Sequence, residues 1–499
     1  MENASFATVR LESTPYKTKK GVAALYVVYF LGLVTCLIMG VKKGPTVFMR
    51  RDDNVESDSL NVTWYGQVGG IEPVHQVLFL QMRLLKPTVG TSEVSYEQRY
   101  TVSSWGAHGD IDPSLCPDGC TDTCDVEGQC LALTEGVVTD RIIDCSRDEE
   151  WCGWETLIME DFVKYKAYYM KVDMVEPDFF ADIHSFTLGF EIVYISEEFT
   201  HFQMTWFYAW VMITLCFMFL PKIGFFTEML KLHQNFWSRQ QVRVGAMLVA
   251  LLFFNNVFFV LQIHSPFPRF FFSVYIVFLA TFLAIMLFFW LELFGDLAVG
   301  NIEGSDTAQE WERNRQKTLL EYLPKLILVG LIWIVTILVY IYVRVKQVGD
   351  PSYSTFDDLS SYTGVKTVGI ILATVYFLWL GFLIVGSFAH VREMNTEYQF
   401  ILHITLTTIV LSIVAIYLGA LAPDQHGAKM LAFFYGVFNT YVLLMAFCYT
   451  PAGSTYGGLD TRENLEMVPA QNSPEHPENP NSKDDTFTIV ESDSQVAVL

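Results

Sequence analysis

Apolar residues run without interruption from Gly21 to Val41, give way to alternation, and return in long blocks from Met204 onward. About 20 apolar residues cross a hydrocarbon core of ~30 Å as a helix, so 21–41 reads as a membrane span. It is longer than the apolar core of a secretory signal and no small-x-small cleavage pattern follows it, which makes it an uncleaved anchor. Seven further runs follow: Met204–Phe226, Gly245–Ile263, Phe270–Phe294, Leu326–Val345, Thr367–Ala389, Ile401–Leu421 and Lys429–Tyr449. The linker Gln262–Phe270, with Pro266 and Pro268, has room only for a tight turn between antiparallel helices.

Between the first run and the rest the period changes to two. In Ser185–Ser196, residues Phe186, Leu188, Phe190, Ile192 and Tyr194 share one face, and Thr187, Gly189 and Glu191 the other. His75–Leu85 and Tyr165–Met174 are strand-like as well. Such alternation marks half-buried antiparallel strands, and a β-sandwich is their natural closed form. The expected fold class is therefore a multi-pass α-helical membrane protein. Its parts are a cytosolic segment 1–20, an anchor helix 21–41, a luminal or extracellular strand-rich domain 44–200, a seven-helix domain 204–450, and a tail 451–499. The tail is rich in Pro, Asn, Ser, Asp and Glu, cannot bury a core, and reads as a disordered, acidic cytosolic segment.

Composition agrees with membrane burial: 17% charged residues against 52% hydrophobic, where soluble chains carry about a quarter charged. The net charge of −22 gathers in 52–198 and in the tail. That charge excludes nucleic acid and anionic lipid as partners of the strand-rich domain on electrostatic grounds and leaves room for a basic ligand, while the apolar runs meet membrane lipids. Six cysteines, Cys116, Cys120, Cys124, Cys130, Cys145 and Cys152, fall in one stretch of the strand-rich domain, an even cluster that reads as a disulfide framework in an oxidising compartment. Its connectivity is open. A zinc site is the rival, but paired CxxC knuckles and a histidine within the cluster are missing.

Basic residues flank the first run on both sides, so they do not orient it. The cysteines do, as does the glycosylation sequon at Asn61, which has meaning only on the luminal or extracellular side. Eight crossings then leave both termini in the cytosol, and the basic residues of the later loops agree. The compartment is Golgi and endosome, or plasma membrane.

No phosphate-binding loop, nucleophile elbow or metalloprotease motif occurs, and the expectation is a non-enzyme without cofactor or metal. Polar residues do enter the apolar runs. Asn255 and Asn256 lie in the third and Asn439 in the eighth; they serve as interhelical hydrogen-bonding groups or line a ligand cavity. Glu292 and Asp296, at the end of the fourth run, read as solvated at the interface. In the tail, Tyr456-Gly457-Gly458-Leu459 fits a tyrosine-based sorting signal, with Tyr456 and Leu459 as the residues a clathrin adaptor would read.

The motifs Tyr322-Leu323-Pro324-Lys325, Val329-Gly330-Leu331-Ile332-Trp333 and Asp350-Pro351-x-Tyr353 occur in order along the chain. So do Phe289-Trp290, Phe434-Tyr435-Gly436-x-x-Asn439-x-Tyr441 and Tyr449-x-Pro451. Over roughly 200–455 the chain resembles the Wntless-like transmembrane family. That resemblance implies a GOLD-type luminal sandwich on a bundle similar to G-protein-coupled receptors, and a role as a receptor or trafficking carrier for a protein or lipidated ligand. In one branch of the family it also implies toxin binding. A signalling receptor is the alternative, and a transporter or channel the third reading. The absence of Asp-Arg-Tyr and Asn-Pro-x-x-Tyr motifs withholds G-protein coupling from helix count alone.

Overall fold

A computed structural model of the chain describes residues 19–57, 63–85, 94–107, 130–145, 150–160, 162–174, 186–221, 224–231, 237–299, 308–349, 363–392, 394–421 and 423–451. Helix α1 (Lys19–Lys43) leads within a few residues into β1 (Phe48–Ser57), and β1 pairs with β8 (Phe186–Ile195). Strand β8 enters α2 (Glu197–Phe219) through one residue, Ser196. Its hydroxyl caps the helix by accepting from the amide of Phe199 (3.2 Å) and donates to the carbonyl of Thr46 (2.5 Å). An N-cap serine of this kind contributes about 1 kcal/mol. Here it also ties the two strand–helix passages to each other.

The alternating segments form two four-stranded sheets. One has the order β1-β8-β3-β6, with β3 (Leu78–Leu84) and β6 (Glu155–Glu160). The other has the order β2-β7-β4-β5, with β2 (Thr63–Gly69), β7 (Ala167–Met174), β4 (Val94–Ala107) and β5 (Cys130–Cys145). Neighbouring strands are antiparallel. Leu188, Phe190 and Ile192 of β8 are buried with Leu80 and Met82 of β3, and with Tyr168, Met170 and Val172 of the second sheet. Trp64 of β2 stacks on Phe190 at 4.4 Å, joining the sheets across the core. The period of two therefore places the core face of β8 as expected. Its other face differs, because Glu191 is buried as well.

Eight helices among the described residues are long and apolar enough to cross a membrane. Besides α1 and α2 they comprise α4 (Arg239–Phe254) with α5 (Phe259–His264), α6 (Pro268–Val299), α7 (Ala308–Gly349), α8 (Thr363–His390), α9 (Thr396–Leu421) and α10 (Pro423–Tyr449). A short α3 (Phe225–Met229) follows α2. Two helices organise the bundle: α6 packs on α4, α5, α7 and α8, and α10 on α1, α2, α4 and α9.

The boundaries differ from the apolar runs where polar residues are helical. Helix α2 begins at Glu197 rather than near Met204, because the sheet feeds it directly, and it ends at Phe219 ahead of Pro221. Helix α4 begins at Arg239 behind a capping box in which Ser238 and Gln241 exchange hydrogen bonds. Helix α7 runs through Pro324 instead of starting after it. The third apolar run is two helices and not one, with a break at Asn255–Phe258.

The first helix is part of the bundle and not a detached anchor. Small residues four apart on α1 face small residues four apart on α10, in antiparallel register: Gly32 meets Thr440, Cys36 meets Gly436, and Gly40 meets Ala432. Gly44, just past α1, meets Ala428. In lipid, where apolar transfer does not drive helices together, such close backbone approach is the main source of association. The Tyr29 hydroxyl also hydrogen-bonds Thr408 of α9 at 2.8 Å. A methyl at Gly436 would lie 2.6 Å from the Cys36 Cβ. Gly436→Ala is therefore expected to destabilise the detergent-solubilised protein by about 1–3 kcal/mol. Adding Cys36→Gly should restore most of that loss in thermal unfolding.

Candidate functional site

Helix α4 ends at Phe254 because two asparagines follow, a residue type that tolerates the left-handed region better than others. Asn256 has φ 49°. Its amide turns to the carbonyl of Phe253 (3.1 Å), and the amide of Phe259 bonds the Asn256 carbonyl (3.0 Å) to start α5. The freed amide of Val260 donates to the Tyr208 hydroxyl on α2 (3.3 Å). Such a break survives at membrane depth only where protein covers it, and Asn255 and Asn256 are both buried.

The two asparagines do different things. Asn255 and Asn439 of α10 form a reciprocal amide pair, each Nδ2 donating to the other's Oδ1 at 2.8 Å, and Asn439 Nδ2 also donates to the Tyr435 carbonyl at 2.9 Å. This pair joins α4 to α10. Asn256 bonds within its own broken helix, donating to Gln262 Oε1 of α5 at 3.3 Å. The side-chain carbonyl of Asn256 is buried and has no hydrogen-bond partner. Replacing Asn255 or Asn439 singly by Leu strands the other amide and is expected to cost about 1–3 kcal/mol. The double replacement should cost clearly less than the sum of the two, as read by thermal unfolding in a double-mutant cycle.

Gln262 leads from the break to the seam between sandwich and bundle. There it lines a cavity of about 360 Å³ with Gln76, Val163, Lys164, His264 and Ser265. Gln76 occupies a strained turn, with φ 55° and ψ −58°, closed by the Val77 amide on the His75 carbonyl at 2.6 Å. This is the geometry of the uncommon γ-turn. It sends the Gln76 side chain into α2, where its Nε2 donates to Thr200 Oγ1 (2.6 Å) and Gln203 Oε1 (2.9 Å). Further contacts across the seam are the Phe162–Phe272 edge contact at 5.7 Å and the Glu160–Arg269 ion pair at 3.5 Å.

At the end of the bundle away from the sandwich lies a second polar cluster. Glu292 of α6 is 2% exposed and pairs with Arg243 of α4 (2.6 Å) and Lys325 of α7 (2.8 Å). Arg243 also reaches Asp296 (3.0 Å) and the Tyr322 hydroxyl. Glu292 is thus a buried ion-pair centre for three helices, and the expectation of interfacial solvation is corrected for it, whereas Asp296 is 41% exposed. Its one-turn spacing from Asp296, opposite Arg243, is the signal that position along the apolar run concealed. Gly295 leaves room for the Lys325 ammonium to pass.

In the sandwich, Cys145 and Cys152 form a disulfide. Trp151, next to Cys152, lies to one side of Arg83, whose guanidinium is 4.3 Å from the Trp151 ring and 4.4 Å from that of Trp154. Cys130 opens β5 opposite Ala107. Cys116, Cys120 and Cys124 lie outside the described residues, as do Asn61, Tyr456 and Leu459. Burial raises the Glu191 carboxyl above its ordinary range against the opposing pull of Arg50, 3.2 Å away, and Asp52 raises it further. A carboxyl that binds its proton more tightly when folded contributes stability below its unfolded pKa of about 4.5, and that stability is lost as pH rises through the folded value. Glu191→Gln is expected to raise the unfolding temperature by a few degrees near pH 7.5 and to leave it unchanged near pH 4.5.

Among the described residues no group of three or more His, Cys, Asp or Glu is placed to hold a metal. The fold defines a multi-pass membrane protein with a two-sheet domain seated on a helical bundle, its polar groups concentrated at interhelical joints. A model of the Wntless-like transmembrane domain matches residues 196–453, just over half of the chain. The chain belongs to the Wntless-like transmembrane family. It is also similar to human transmembrane protein 181, with 29% identity over 252 residues, covering 47% of this chain and 50% of that protein. The chain thus spans about half the length of the curated relative it matches.

Proposed function

We propose that the protein is a receptor-like carrier of the secretory pathway or cell surface, which takes a protein or lipidated ligand at the seam between its sandwich and its bundle. The observation that supports this reading is the cavity at that seam, lined from both sides and placed beside a strained turn. Strain of this kind concentrates at ligand sites. The sandwich would face the lumen or exterior, both termini the cytosol, and the Tyr456–Leu459 motif would engage a clathrin adaptor. The buried charge centre at Glu292 favours a second reading, a signalling receptor, because a change in α7 there would alter the face away from the ligand.

Two measurements separate these. A photo-crosslinking residue at Ser265 of the full-length protein in cells should give a discrete adduct, and one at exposed Val138 of the sandwich should not. Equal adducts at both positions would count against the seam. Imaging of the tagged protein should show Golgi or endosomal residence that shifts to the plasma membrane on Tyr456→Ala. Steady surface residence, unchanged by that substitution and accompanied by a second-messenger response to ligand, would favour signalling instead.

A further inference from the structure

The break in the third membrane span carries more than a kink. The Asn256 amide has turned to Phe253, so the Leu252 carbonyl loses its i+4 donor. The Phe259 amide has turned to Asn256, so the Asn255 carbonyl loses its own. The Asn256 Oδ1, on a residue 3% exposed, also has no hydrogen-bond partner. The Val260 amide that the break frees is taken up by the Tyr208 hydroxyl, and these three groups are acceptors. They stand at the C-terminal end of a 16-residue helix, where the macrodipole is equivalent to about half a negative charge. The neighbouring rings of Phe253, Phe254, Phe258 and Tyr435 keep the local dielectric low. Acceptor groups in such surroundings are matched by a donor or a cation, and only a net positive charge gains from the dipole as well. Discontinuous membrane helices use their C-terminal carbonyls in this way for sodium.

We infer that the Asn255–Asn256 break binds a monovalent cation, with sodium the fitting probe. Asn256 Oδ1 and the carbonyls released by the break supply the oxygen ligands. Carboxylates and thiols do not form the site, which separates it from a divalent or transition-metal centre. Gln262, bonded to Asn256 and lining the seam cavity, marks the route of entry. The site adjoins the seam cavity through Gln262, and its test needs no ligand of the carrier role.

The test uses the full-length protein in detergent. The unfolding temperature is measured as sodium chloride replaces choline chloride at constant ionic strength. A saturable rise with sodium is expected. Asn256→Gly accepts the same positive φ and removes the oxygen, so it should abolish the sodium response. Asn256→Asp keeps the oxygen and adds a charge, so it should lower the half-saturating sodium concentration by about ten-fold or more. Identical curves in the two salts would mean that water alone fills the break, and would overturn the inference. So would a sodium response that persists in Asn256→Gly. If the glycine variant does not fold, the aspartate variant decides, and an unchanged half-saturation overturns the inference.

Discussion

The passage of β8 into α2 through Ser196 is the constraint on which the rest of the molecule depends. A single capped residue leaves no hinge, so the rotation of the strand fixes the rotation of the helix. The Ser196 hydroxyl on Thr46 and its amide on Val47 (2.8 Å) bind the α1–β1 passage to the same point. Val47, Phe199 and Ala428 form a small apolar cluster at this neck, so α10 is drawn in as well. The sandwich is seated on the bundle by covalent geometry first. The Gln76 bonds, the Phe162–Phe272 contact and the seam cavity follow from that seating.

Within the bundle, polar groups are spent on joints between helices. Each lies where a departure from apolar packing would otherwise leave a desolvated group. Asn255–Asn439 joins α4 to α10, Tyr29–Thr408 joins α1 to α9, and Glu292 gathers α4, α6 and α7. Some of the motif residues that carry the family resemblance fall on these joints, while Asp350, Pro351 and Tyr353 lie outside the described residues. Tyr322 and Lys325 belong to the charge centre, Gly436 to the contact with α1, and Asn439 to the amide pair. The Tyr449 carbonyl accepts from buried Gln241 of α4 at 3.2 Å. These motif residues make helix contacts, which says more about the shape of the bundle than about its ligand.

The strand-rich domain and the eight spans were legible in the sequence because period two and apolar length are local signals, but of the strands only β3, β7 and β8 were read from it. Leu188, Phe190 and Ile192 on the core face of β8 could be read from the alternation. The burial of Glu191 could not, because it depends on which strands flank β8. Helix starts at Glu197 and Arg239 were hidden because their first turns are polar and an apolar window discounts them. The break at Asn255 was visible only as two polar letters. That one would pair across the bundle while the other would bond along its own helix depends on a backbone turn that no periodicity encodes. Glu292 looked like an interface residue because its partners, Arg243 and Lys325, come from runs 49 and 33 positions away.

The matched small residues of α1 and α10 have a consequence in time. Cys36 and its counterpart Gly436 are separated by roughly 400 residues, which a ribosome adding about 5–20 residues per second takes about 20–80 s to make. Throughout that interval α1 lies in the bilayer with its glycine face uncovered. The sandwich, complete by Ile195, is ready long before the surface that will hold its first stalk exists. Closure of the bundle therefore waits on α10, and the glycine stripe of α1 is open to other membrane helices until that moment.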